Sequence, residues 1–111
     1  MEVSFQGIGE WAATFMGGGL QEGQVVKPSG SGAVALCGDG EDFCGVVRKG
    51  GRDACCVQLG GLARVACSGT VPPAGFAVLA GDGKGGVKTV TTGGQRVLVI
   101  AADKDTVTIR L

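Results

Sequence analysis

Thr106-Val107-Thr108-Ile109-Arg110-Leu111 ends the chain in strict polar–apolar alternation. A period of two sends alternate side chains to opposite faces of a strand, so Val107, Ile109 and Leu111 face a core. Cys55-Cys56-Val57-Gln58-Leu59 corresponds to residues 107–111 at an offset of 52. By that correspondence Cys55, Val57 and Leu59 point inward, and Cys56 and Gln58 point out. Glu22-Gly23-Gln24-Val25-Val26 matches Ala74-Gly75-Phe76-Ala77-Val78 at 52, and Phe43-Cys44-Gly45-Val46 matches Val97-Leu98-Val99-Ile100 at 54. The offset drifts only where loops sit, as insertions and deletions do. Two copies of one β-meander-like unit, about residues 22–61 and 74–111, predict a pseudo-symmetric sandwich or barrel.

The same alternation, punctuated by glycine, predicts strands over residues 24–27, 33–37, 43–48, 54–59, 62–67, 76–79, 86–91, 96–101 and 106–111. Gly60-Gly61 separates two alternating runs by two residues, which predicts a tight hairpin of primed type. Residues 9–15 read as a single helical turn or a short strand, with Gly17-Gly18-Gly19 behind them. The expected fold is all-β: a small glycine-rich β-barrel or β-tulip-like sandwich, one domain over residues 21–111, preceded by an apolar arm over residues 1–20.

Composition narrows the function. The chain has 111 residues, ten basic and ten acidic, so its formal charge is zero. Nucleic-acid binding by phosphate contacts needs a basic surplus on some face, and none is evident. Histidine and tyrosine are absent, which removes the commonest general base and metal ligand together. Disorder does not fit a neutral chain that is 44% hydrophobic. Twenty-three glycines within regular structure would cost roughly 10–20 kcal/mol, so most belong in turns. The longest mainly apolar run, residues 97–102, is far short of the roughly 20 residues of a spanning helix. Glu2 stands where a signal peptide carries basic charge, and an intracellular product is expected.

The remaining motifs yield no catalytic, cofactor or metal site. Cys37, Cys44, Cys55, Cys56 and Cys67 lack the paired spacing of zinc knuckles, and Cys55 and Cys56 project to opposite faces. Cys37, Cys44, Cys55 and Cys67 are expected as small core residues, with Cys56 the thiol within reach of a reagent. Gly38-Asp39-Gly40-Glu41-Asp42 lacks the ligand spacing and closing glutamate of an EF-hand, and reads as a solvated turn. Gly81-Asp82-Gly83-Lys84-Gly85-Gly86 follows a strand, but β-like residues succeed it, so no helix N-terminus awaits a phosphate. Lys84 lacks the flanking residues of a lipoyl or biotinyl carrier.

The N-terminal segment differs in kind. Val3, Phe5, Ile8, Trp11, Phe15 and Met16 include three of the chain's five aromatic residues, and they lie outside the repeat. Such a segment serves as a docking arm or folds back over the domain's own core, and both hold if it adds a strand to a partner's sheet edge.

Four stretches read in order carry a family resemblance: Glu22-Gly23-Gln24-Val25-Val26, Phe43-Cys44-Gly45-Val46-Val47, Pro73-Ala74-Gly75-Phe76-Ala77-Val78, and the ending from Val97-Leu98-Val99-Ile100-Ala101-Ala102 to Thr106-Val107-Thr108-Ile109-Arg110-Leu111. From about Gly23 to Leu111 the chain resembles tailed-bacteriophage head decoration, or capsid cement, proteins. It departs from them in its five cysteines and in the strand over residues 97–102, where family members carry a glycine before the valine.

The resemblance implies a non-enzymatic virion protein, made in the bacterial host cytoplasm, with no cofactor and no nucleic-acid or membrane partner. It implies homotrimers on the outer capsid that clamp neighbouring copies of the major capsid protein against genome pressure. Under this reading the arm pairs with a capsid-protein edge strand through Phe5, Ile8, Trp11 and Phe15. Its removal is then expected to abolish capsid binding and leave a folded core. The alternative function is a small β-barrel ligand- or partner-binding module unconnected with a capsid.

Overall fold

The computed structural model describes residues 8–111, and among them there are ten strands and no helix. The strands are β1 (Trp11–Met16), β2 (Val25–Gly30), β3 (Ala33–Leu36), β4 (Gly45–Lys49), β5 (Ala54–Gly60), β6 (Leu62–Ala66), β7 (Gly75–Gly81), β8 (Val87–Thr89), β9 (Gln95–Ala102) and β10 (Thr106–Arg110). All nine segments predicted from alternation carry a strand, and the ambiguous N-terminal stretch supplies the tenth.

The first five strands close into a barrel in the order β1-β3-β2-β4-β5, with β5 antiparallel to β1. The last five form a sheet in the order β6-β10-β9-β7-β8. With β6 set on β1 and each later strand on its counterpart, the two orders are the same. Parallel pairing of Met16 with Ala33 joins the ends of the first unit. In the second, Cys67 just beyond β6 makes a parallel bridge to Val87.

The ladders repeat in detail. Val47 pairs with Val57 in one unit as Val99 pairs with Ile109 in the other. A β-bulge then falls at Arg48 and at Ile100, the same place in the two ladders. Bulges are specific local features, and a shared one marks a duplicated unit. This register moves two of the alignments expected from sequence: Val46 corresponds to Leu98, not to Ile100, and Val25 to Phe76, not to Ala77. A continuous apolar run carries no phase of its own, and the pairing with β5 and β10 supplies it.

The duplicated unit is larger than the sequence suggested. β1 corresponds to β6, since Phe15 and Ala13 face Cys55 and Val57 as Val65 and Ala63 face Val107 and Ile109. Residues 11–16 are therefore a strand of the barrel and not an arm outside it. Gly60-Gly61 also differs from expectation. β5 pairs with β4 and β1, while β6 pairs with β10, so the two glycines form a crossover between units and not a hairpin. Gly61 has a φ of 85°, and a Cβ there would come within 2.5 Å of the Gly9 backbone. Only glycine takes this conformation with the chain crossing so closely.

Two apolar clusters hold the fold. The smaller fills the barrel with Val26, Val34, Val47, Cys55 and Val57, flanked by Phe15, Leu20, Cys44 and Leu59. The larger lines the second sheet, with Leu79, Val87, Val99, Val107 and Ile109 at its centre. It also takes in Val25, Cys37, Phe43 and Val46 from the first unit, so the units share a core. Each fully buried Val, Leu or Ile contributes about 1.5–3 kcal/mol by leaving water.

Polar bonds stitch the same seam: Gly40 N–H donates to Gly81 O, Gly81 N–H to Glu41 O, and Val25 N–H to Gly85 O. The described residues form a plate of 38 × 34 × 19 Å, with the units side by side.

Gln58 points out of the barrel as the sequence reading has it, but that face is covered. Alternation puts it on the outer face of β5, yet it is 0% exposed. The outer face of the barrel is where the second unit packs. There the Gln58 amide donates to the carbonyls of Gly60 and Leu62 at 3.0 and 3.1 Å, bracing the crossover. Its Oε1 has no hydrogen-bond partner.

Candidate interaction surface

Five large apolar side chains stand exposed among the described residues: Ile8 (55%), Trp11 (59%), Met16 (61%), Phe76 (56%) and Val78 (40%). Single exposed apolar residues are ordinary on protein surfaces, but these fall into two groups, one before and on β1 and one on β7, in different sheets.

The first group lies at the start of the barrel. The Ile8 carbonyl accepts from Leu62 N–H at 2.8 Å, which ties the entering chain across the crossover. Glu10 pairs with Arg48 at 2.7 Å, so the bulged residue of β4 points its charge at the same segment. Register shifts between Trp11 and Ala12, and the indole lies over Gly60, where any Cβ would strike it. Trp11 is thus held at one edge by the sheet and open at the other. Phe15 faces the opposite way, half-buried against the barrel core.

Of the four residues expected to dock a partner, Ile8 and Trp11 face solvent, Phe15 packs inside, and Phe5 lies outside the described residues. Met16, part of the apolar segment read as a docking arm, is also exposed, whereas Phe76 and Val78 were not anticipated from sequence. The second group is on β7, where Phe76 pairs with Leu98 and Val78 with Arg96. The Arg96 guanidinium sits 4.2 Å above the Phe76 ring, a cation–π contact worth about 0.5–1 kcal/mol at an exposed site.

The polar motifs are engaged in structure. Asp82 takes hydrogen bonds from the N–H groups of Lys84 (2.7 Å) and Gly86 (3.0 Å) and from the Ser68 hydroxyl. A carboxylate therefore occupies the donors that a phosphate would use. Partial burial opposes the Asp82 charge, but these bonds and the nearby Lys84 charge outweigh it and hold its carboxyl below the usual range.

The sign of the pH effect follows. A depressed folded pKa contributes stability above the unfolded value, about 3.9 for aspartate, and that stability is lost as pH falls through the folded value. Asp82→Asn is expected to cost about 1 kcal/mol at pH 7, discounted for solvent screening, and to flatten acid unfolding below about pH 4. Urea titrations at pH 7 and pH 3 check this; an equal loss at both pH values contradicts it.

In the acidic turn, Glu41 bonds Lys27 Nζ at 2.7 Å and the Gly38 N–H at 2.8 Å, which lowers its carboxyl pKa. Asp39 reaches Lys88 in the second unit at 2.6 Å. The turn is thus an inter-unit clasp. No group of three His, Cys, Asp or Glu side chains able to hold a metal occurs among the described residues.

All five cysteines are free thiols. Cys37, Cys55 and Cys67 are buried, and Cys44 and Cys56 are partly so. Burial pushes the thiols of Cys37, Cys44, Cys55 and Cys67 up, which disfavours thiolate chemistry at them. No protein-family model and no curated protein matches the chain.

Proposed function

We propose that this chain is a non-catalytic capsid decoration protein. It binds the outer surface of an assembled phage head as a homotrimer and holds neighbouring copies of the major capsid protein together. The observation that carries this reading is the exposure of Ile8, Trp11, Met16, Phe76 and Val78 on a small, two-unit β scaffold. The glycine and valine patterning over residues 23–111 supports it, because that is where the likeness to cement proteins lies.

Ile8 and Trp11 are the proposed head-facing contacts. Phe15 supports them from within, since it anchors β1 to the barrel core. Tryptophan anchors at interface centres commonly account for about 2 kcal/mol or more. Trp11→Ala is expected to leave the fold intact and weaken head binding roughly 30-fold. The test mixes the purified chain with heads of the parent phage stripped of their surface proteins, and follows saturable co-sedimentation. Absence of saturable binding by the unaltered chain overturns the proposed function. Unchanged affinity in Trp11→Ala removes Trp11 from the contact.

A further inference from the structure

We infer that the outer face of the second sheet, centred on Arg96, Leu98 and Arg110, binds an extended, carboxylate-bearing segment of another protein. The charge of this sheet is one-sided. Its five strands hold Arg64, Lys88, Arg96 and Arg110 and no Asp or Glu. Lys88 meets Asp39 of the first unit, and Arg64 reaches Asp103 in the β9–β10 turn. Arg96 and Arg110 form no ion pair among the described residues.

The duplication shows that this charge is particular to one unit. By the ladder register Arg96 and Arg110 correspond to Cys44 and Gln58, and Phe76 and Leu98 to Val25 and Val46. The first unit's row is uncharged and covered by the second unit: Val25, Val46 and Gln58 are 0%, 3% and 0% exposed. In the second unit Phe76 is more than half exposed, Leu98 is half-buried, and both arginines are exposed. The face that packs against this protein's own apolar surface carries no charge. The face left bare carries two charges of one sign, so its occupant supplies the opposite sign.

The geometry suits a carboxylate. Arg96 and Arg110 line one cavity of about 220 Å³ with Phe43, Leu98 and Leu111. The Arg96 guanidinium is already placed, 4.2 Å above the Phe76 ring. Stacking uses the flat face of a guanidinium and leaves its in-plane N–H fork, which matches a carboxylate in two parallel bonds. Phe76, Val78 and Leu98 offer apolar contact beside that fork. A nucleic-acid strand also brings anions, but it tracks along a basic groove with successive stacking rings. This face has a single aromatic ring, and its third arginine is already paired.

The inference goes beyond the proposed function and uses neither Ile8 nor Trp11, so head binding is scored separately. The test is calorimetric titration of the full chain with a synthetic peptide that repeats two glutamates and two leucines. In an extended strand, either face of that peptide shows glutamate and leucine in turn. It is expected to bind saturably, and more weakly as salt rises, because exposed charges are screened. The same peptide with glutamine in place of glutamate is expected not to bind. Arg96→Gln and Arg110→Gln are each expected to weaken binding about fivefold or more, and together to abolish it. Lys104→Gln, in the turn at the other end of β9 and β10, is expected to leave it unchanged.

A thermal melt confirms each fold, and Arg96→Met or Arg110→Met, which keeps an apolar stem, replaces a glutamine variant that fails it. The inference is overturned if the glutamate and glutamine peptides bind alike, or if the double variant binds as tightly as the unaltered chain. Tighter binding of single-stranded DNA, lost in the double variant, overturns it in favour of a nucleic acid. Self-association of the unaltered chain in light scattering, lost in the double variant, overturns it in favour of a second copy.

Discussion

A chain that begins after residue 16 is expected to lose its cooperative native transition. β1 pairs with β5 at every residue from Trp11 to Met16 and meets β3 at Met16, so it is the strand that closes the barrel. Its removal strips β5 of one whole ladder and uncovers the Cys55–Val57 side of the core, where Phe15 packs. Withdrawing the half-buried Phe15 costs up to about 3 kcal/mol, and the unpaired backbone along the whole of β5 adds to that. The total approaches the 5–15 kcal/mol that stabilises a typical domain.

Urea unfolding followed by circular dichroism measures the loss, and adding residues 1–20 as a separate peptide is expected to restore the transition. A truncated chain that melts like the full one would show that β1 does not close the barrel. The sequence alone suggested the opposite outcome, a folded core without the arm. That expectation treated the N-terminal aromatics as external to the repeat.

Gly45→Val is expected to destabilise the protein by about 3 kcal/mol or more, lowering its melting temperature by roughly 10–15 °C. The duplication makes this substitution look harmless, because the counterpart of Gly45 in β9 is Val97, a buried core residue. The barrel and the second sheet are filled differently at this point. A Cβ on Gly45 would come within 2.5 Å of the Gln58 carbonyl oxygen and 2.6 Å of Val57 Cγ1. One obstacle is backbone in the closing ladder, which has no rotamer to change. The strand can admit the side chain only by parting from β5. Differential scanning calorimetry checks the figure, and an unchanged melting temperature would mean that β4 and β5 lie farther apart there.

These cases mark what was legible in the sequence. Strand positions were readable because alternation and glycine punctuation are local, and Val107 and Ile109 are buried as their alternation requires. The burial of Gln58 was not legible, because it depends on the second unit lying against the barrel, which no local pattern records. Gly60-Gly61 has the composition of a hairpin, and only the competing partners of β5 and β6 make it a crossover. The surface was legible in part. A concentration of aromatics drew notice to Ile8 and Trp11, but the bulge after Trp11 and the inward turn of Phe15 are set by pairing with β5. Phe76 read as one more apolar strand residue, and its exposure follows from an asymmetry between two otherwise matching units.

The duplication also orders events during synthesis. Everything the barrel ladder requires has been made once Gly60 is added, because β1 finds its partner in β5 and not near the C-terminus. At about 5–20 residues per second, the roughly 50 residues that follow take several seconds to appear, while β domains of this kind fold in milliseconds to seconds. The barrel thus has time to close alone. It then waits on the ribosome with Val25, Val46 and Gln58 uncovered, and only translation of the second half hides them. The most adhesive state of this chain is the newborn one.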